Sequence, residues 1–101
     1  MSENKTFLVI NAIINKENMA DVQTYIESIM PVMGKNGGLP TGSYKTMEQL
    51  AGEASPEMIS IIEFPSADAI REMVAGEEFV ALAELRARAF SKLNLMICGE
   101  S

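Results

Sequence analysis

An α+β fold of the ferredoxin-like βαββαβ kind is the architecture this sequence predicts. Three observations lead to it. Apolar residues fall into four short runs separated by two longer helical stretches. The first and third of these runs are apolar at consecutive positions, as strands covered on both faces are. Glycine and proline stand between the elements, where turns are needed. With 101 residues the chain is long enough for one domain, taken as residues 1–101, and too short for two.

Residues 5–14 are rich in β-branched and aromatic side chains and predict the first strand. Over 18–35, Met19, Val22, Ile26, Ile29, Met30 and Met33 recur at the three-and-four spacing of an amphipathic helix, with Asn18 as its N-cap. Pro31 lies inside this pattern and predicts a kink or a separate last turn. Gly37-Gly38 supplies the left-handed backbone that ends a helix. A second strand is expected within Ser43–Gln49, and a turn over 51–56, where Gly52 and Pro56 stand. Residues 57–64 predict the third strand, which Pro65 closes because it cannot donate to a ladder. Ser66 then caps the second helical region, with Asp68 in its first turn and Ile70, Met73 and Val74 on its inner face. Gly76 interrupts that region. A further segment begins at Glu77-Glu78, with Phe79, Leu82, Ala83, Leu85, Ala89 and Phe90 inward. The last strand covers roughly 93–98, leaving Gly99-Glu100-Ser101 as a tail.

This order of elements gives a four-stranded antiparallel sheet with both helices on one face. In the first strand Phe7, Val9 and Ile13 point one way, and Leu8, Ile10, Ala12 and Ile14 the other. In the third, Met58, Ile62 and Phe64 oppose Ile59 and Ile61. Helices cover a single face. Each large apolar side chain left in water on the other forfeits about 1.5–3 kcal/mol. A second copy packed sheet to sheet, forming a dimeric α+β barrel, is the expected remedy.

Composition removes several functions. Fourteen acidic against eight basic residues give a net charge of −6, unsuited to nucleic acid or to an anionic membrane surface. Arg86, Arg88 and Lys92, the sole basic cluster, read as one side of a helix end. Cys98 is the single cysteine, so no internal disulfide forms, and its apolar surroundings predict a buried core position. The chain has no histidine, the commonest general base and a common metal ligand. Neither a metal nor a cofactor is expected, and no phosphate-binding glycine motif is present. The run 7–14 is too short to span a bilayer and lacks a basic leader, so a cytoplasmic location is expected.

Glu63-Phe64-Pro65-Ser66, followed by Gly76-Glu77-Glu78-Phe79, Ala81-Leu82 and Leu85-Arg86, resembles the signature of the family called domain of unknown function 1330. Gly37-Gly38 after a helix containing Pro31, Gly52 with Pro56, and Gly99-Glu100 fit the same pattern. The resemblance implies a dimeric α+β barrel, related in fold to cofactor-less antibiotic-biosynthesis monooxygenases. It implies no settled activity. The chain departs from the family at Ser43-Tyr44-Lys45, where an Arg-Gly-Gly-type loop is usual, and at Met73-Val74, where an aromatic pair is frequent. It also has no tryptophan near Ala54.

Five residues are candidates for a site. Glu63 ends an apolar strand, where desolvation would suit a general base; the plain alternative is a structural carboxylate. Arg86 could hold an anionic substrate or pair with Glu63 or a partner's carboxylate. Asn11 and Asn94 interrupt apolar strands and need hydrogen-bond partners, in a cavity or across the sheet. Tyr44, like Tyr25, offers a hydroxyl to a pocket, or sits at the core edge. Eight methionines suit an adaptable pocket or simply fill a core. The expected partners are a second copy of the chain and a small organic ligand. Such a protein is either a binder, with cofactor-independent monooxygenase-like or isomerase-like chemistry open to it, or a non-enzymatic interaction or regulatory module with a filled barrel. An RNA-binding sheet would need exposed aromatics and basic charge where Ile59 and Ile61 stand, and is rejected.

Overall fold

The backbone hydrogen bonds of β1 (Thr6–Ile14) are taken up on both edges, making it a central strand of the sheet. A computed structural model describes residues 5–53 and 56–100. After β1 come a 3₁₀ turn (Lys16–Asn18), α1 (Met19–Lys35), β2 (Leu39–Lys45), β3 (Met58–Phe64), α2 (Ala67–Ala75), α3 (Glu77–Val80), α4 (Ala83–Ala89) and β4 (Phe90–Gly99). The strands lie in the order β2-β3-β1-β4, each neighbouring pair antiparallel. This is the ferredoxin-like α+β fold.

Register sorts the side chains into two faces. On the helix side, cross-strand rows run Pro40–Ile62–Leu8–Ile97, Ser43–Ser60–Ile10–Leu95 and Lys45–Met58–Ala12–Leu93. On the other side they run Leu39–Glu63–Phe7–Cys98, Gly42–Ile61–Val9–Met96 and Tyr44–Ile59–Asn11–Asn94. The core gathers on the helix side, where Leu8, Ile62 and Phe64 meet Val22, Ile29, Val32 and Met33 of α1, Ile70 and Met73 of α2, and Phe79. The open face carries no element, and Phe7, Val9, Ile13, Ile59 and Ile61 are only half-buried there.

Several local expectations change. The backbone of α1 runs unbroken through Pro31, whose exposed position keeps its ring clear of the core. Asn18 precedes α1 without capping it: its amide donates to the Arg88 carbonyl at 3.0 Å, and Asn15 instead caps the preceding turn through Glu17 N–H. The buried stripe of α1 is Val22, Tyr25, Ile29, Val32 and Met33, leaving Met19, Ile26 and Met30 exposed. Strand β2 begins four residues earlier than expected, at Leu39, because a bulge between Pro40 and Gly42 lets the proline join without a ladder donor. Phe90 belongs to β4 and not to the helix, since it pairs with Ile14 and packs edge-on against Tyr25 at 5.4 Å. Cys98 is on the open face and part-exposed rather than in the core.

Other expectations hold. Gly37 ends α1 with φ of 88°, a conformation that favours glycine, and a Cβ there would stand 2.7 Å from the Pro65 ring. The Ser66 hydroxyl accepts from Ala69 N–H at 3.1 Å and starts α2. Within the turn expected over 51–56, residues 54 and 55 lie outside the described residues, as does Ser101 of the expected tail.

Leu8 is 1% exposed in β1, a central strand, and packs in the core beneath the helices. Leu8→Ala is expected to lower unfolding free energy by about 2–5 kcal/mol, read from urea denaturation.

Candidate functional site

Between α1 and the sheet lies a cavity of about 470 Å³. Its floor is the middle row of the helix side, Ser43–Ser60–Ile10–Leu95, flanked by Leu8, Ile62, Met58 and Leu93. Its roof is the flank of α1 formed by Tyr25, Ile26, Ile29, Met30 and Met33, with Phe79 and Phe90 also on the wall. Side-chain size bears on this space: serine at 43 and 60 is much shorter than the apolar residues beside it and fills less of the volume beneath α1. Exposed residues on α1 (Ile26, Met30), β2 (Pro40, Thr41, Ser43) and β4 (Leu95) leave the cavity open to solvent.

The wall is overwhelmingly apolar. Among the described residues no carboxylate, amine or guanidinium lines it. Its polar groups are four hydroxyls. Thr41 donates to the Ile61 carbonyl at 3.1 Å. Tyr25, 6% exposed, accepts from Arg86 Nε at 2.9 Å. Ser43 and Ser60 face each other at 3.5 Å, longer than a well-formed hydroxyl hydrogen bond.

Arg86 stands behind the aromatic part of this wall. It donates through Nη2 to the Phe79 carbonyl at 2.9 Å, and its guanidinium carbon lies 3.8 Å from the Phe79 ring centroid and 5.4 Å from that of Tyr25. These contacts tie α4 to α1 and α3 and hold two wall aromatics in place. Neither Glu63 nor any other described carboxylate forms an ion pair with it.

The remaining candidates are on the far side of the sheet from the cavity. Glu63 is half-buried beside Phe7 and Leu39, with Lys5 Nζ at 3.8 Å. Asn11 and Asn94 are register partners across β1 and β4, and Tyr44 is exposed beside Ile59. Asn11, Tyr44, Glu63 and Asn94 therefore share one surface, while the cavity takes Tyr25 and several methionines, as their chemistry allowed, together with Ser43 and Ser60, which sequence reasoning did not single out. Ser60 carried a usable signal: it is the one polar residue among the helix-facing positions of the otherwise apolar Met58–Phe64 strand. Among the described residues no cluster of Cys, Asp and Glu could hold a metal ion, and no helix is long and apolar enough to cross a membrane.

Comparison with known proteins bears on the fold. The profile of a family described as "Domain of unknown function (DUF1330)" matches residues 5–100. A protein of unknown function from Rhodopseudomonas palustris superposes with a TM-score of 0.79 at 17% identity, over 99% of this chain and 85% of that one. A dimeric protein of unknown function with a ferredoxin-like fold, from Bacteroides fragilis, gives 0.63 at 13% identity, over 95% and 96%. A Dabb family protein with a ferredoxin-like fold, from Mesorhizobium loti, gives 0.66 at 9% identity, over 95% and 96%. No curated protein matches the chain in sequence.

Replacing Arg86 by leucine removes two hydrogen bonds from a charged group and its stacking on Phe79. Arg86→Leu is expected to cost about 1–3 kcal/mol of stability, read as a lowered thermal midpoint.

Proposed function

Because the chain belongs to the DUF1330 family, which has a fold in common with many activities and none of its own assigned, we propose a function read from the cavity: a homodimer in which each protomer binds one small apolar organic molecule between α1 and the sheet. The observation that carries this reading is the cavity itself. At about 470 Å³ it falls within the roughly 300–1,000 Å³ of small-molecule sites, and it has their make-up, an apolar wall with a few polar groups. A packed core would leave no such space. The cavity supports the binder reading from the helix side of the sheet; the barrel interior of the rival reading is a separate space, on the open face.

The wall constrains any chemistry. A general base must stand within hydrogen-bond reach of the proton it takes, and among the described residues the only titratable side chain on the wall is the Tyr25 phenol. A cofactor-independent reaction of monooxygenase or isomerase type would therefore draw its reactivity from the ligand, with the protein supplying orientation and a dry surface. Glu63 is separated from this cavity by the sheet and would serve only a site on the open face.

The dimer reading rests on that open face. Val9 is its centre, flanked in register by Ile61 and Met96, with Phe7, Ile13 and Ile59 around it. A contiguous apolar surface of this kind is covered in stable proteins, and a second sheet related by a two-fold axis presents the same surface in return. Of the similar structures, one is described as dimeric. Asn11, Asn94, Tyr44 and Glu63 would then line or rim the space between the two sheets.

Two outcomes are expected. Naphthalene, followed by its fluorescence, should bind saturably at one site per chain, and Met30→Trp, which places an indole at the opening, should weaken it about tenfold or more; absence of saturable binding would remove the cavity reading. In sedimentation velocity at micromolar concentration the chain should run at twice its mass, and Val9→Lys should run as a monomer. A monomeric wild type would overturn the dimer.

A further inference from the structure

The cavity's hydroxyls are not equivalent, and the difference indicates what kind of ligand it takes. Thr41 is committed to the Ile61 carbonyl and Tyr25 is held by Arg86. Among the described residues, Ser43 and Ser60 have only each other for side-chain hydrogen bonding, at 3.5 Å. Both sit in one row of the floor, on adjacent strands, on the helix side of the sheet. The next two residues along that row, Ile10 and Leu95, are apolar, so polarity is confined to the β2–β3 end and the rest of the floor is hydrocarbon.

Resting on the small-molecule reading above, we propose that Ser43 and Ser60 are the polar anchor of the cavity and that its ligand is uncharged and amphipathic: an apolar body carrying one hydroxyl or carbonyl group. Each serine hydroxyl can donate one hydrogen bond and accept two, so a single oxygen seated between them has both a donor and an acceptor within reach. Ser43 is exposed and Ser60 half-buried, which places the anchor where the cavity opens beside β2 and sends the apolar body across the floor toward Ile10 and Leu93. An ionic head finds no counter-charge on the wall, and an unpaired charge drawn among apolar side chains is strongly penalised. Lys45 is one pleat further along β2 on the same face, exposed and off the wall, and the net charge of −6 adds no attraction for anions.

Three probes of one ring system test this on the intact chain: naphthalene, 2-naphthol at neutral pH, and 2-naphthoate. Wild type should bind 2-naphthol more tightly than naphthalene, and 2-naphthoate most weakly. Ser60→Ala should weaken 2-naphthol about fivefold and the double variant Ser43→Ala/Ser60→Ala about tenfold, while naphthalene changes less than about twofold. Ser60→Thr, which keeps a hydroxyl, should recover most of the loss. Unchanged 2-naphthol binding in the double variant, with naphthalene still bound, overturns the anchor and leaves the cavity reading standing. Tighter binding of 2-naphthoate than of 2-naphthol overturns the uncharged ligand and assigns the mouth to Lys45. Equal loss of naphthalene and 2-naphthol shows a structural effect of the serines and overturns their role as anchor. If wild type binds neither naphthalene nor 2-naphthol, the cavity reading and this inference fall together.

Discussion

A central strand with apolar side chains on both faces governs this molecule. Strand β1 bonds β3 on one edge and β4 on the other, so its register places every other strand residue on one side of the sheet or the opposite one. Leu8, Ile10 and Ala12 anchor the core beneath the helices. Phe7, Val9 and Ile13 alternate with them and face away. One set is covered by α1 and α2 of the same chain, and the helices cannot reach the other. The same pattern of residues thus drives intramolecular folding and creates the surface on which a second copy is proposed to dock.

The cavity arises from a local exception to close packing. Along the middle row of the helix side, large residues at 10 and 95 give way to serines at 60 and 43. The aromatic part of the wall is fixed by Arg86, which binds the Tyr25 hydroxyl, the Phe79 carbonyl and the Phe79 ring at once. An arginine that could have been expected to seize an anion is engaged in ordering the roof. Its cationic charge stays off the cavity surface, which remains neutral.

Two chemically different surfaces are consequently back to back on one sheet. The helix side offers an apolar cavity, open to solvent, with two loosely paired hydroxyls. The open side offers a wide apolar patch carrying Asn11, Asn94, Tyr44 and Glu63. Separating them by a single layer of backbone would let the proposed assembly and the proposed ligand binding be set by alternating residues of the same strands. A fold does not dictate what is bound; the residues on its walls do.

Much of the architecture was legible in the chain. Period-two and continuous apolar runs marked the strands, Ser66 and Gly37 marked helix boundaries by chemistry that few other residues share, and the doubly apolar Phe7–Ile14 run marked a sheet with a face to spare. The helix-end at Phe90, the true inner stripe of α1 and the start of β2 were not legible, because each depends on partners distant in sequence: Ile14 and Tyr25 for Phe90, the seating of α1 for Ile26 and Met30, the bulge opposite β3 for Pro40. The site was legible least. Polar residues that stood out along the chain, Asn11, Glu63 and Asn94, went to the open face, whereas Ser43 and Ser60, of which only Ser60 breaks an apolar alternation, became the polar spot of a cavity. Sequence by itself determined the order of the elements and the apolar faces of the strands, since these follow from the local periodicity of side chains, and its signature residues pointed to the family. Only the tertiary structure decided where space remains, since a cavity is made by the mismatch in height between residues that strand register and helix seating bring together.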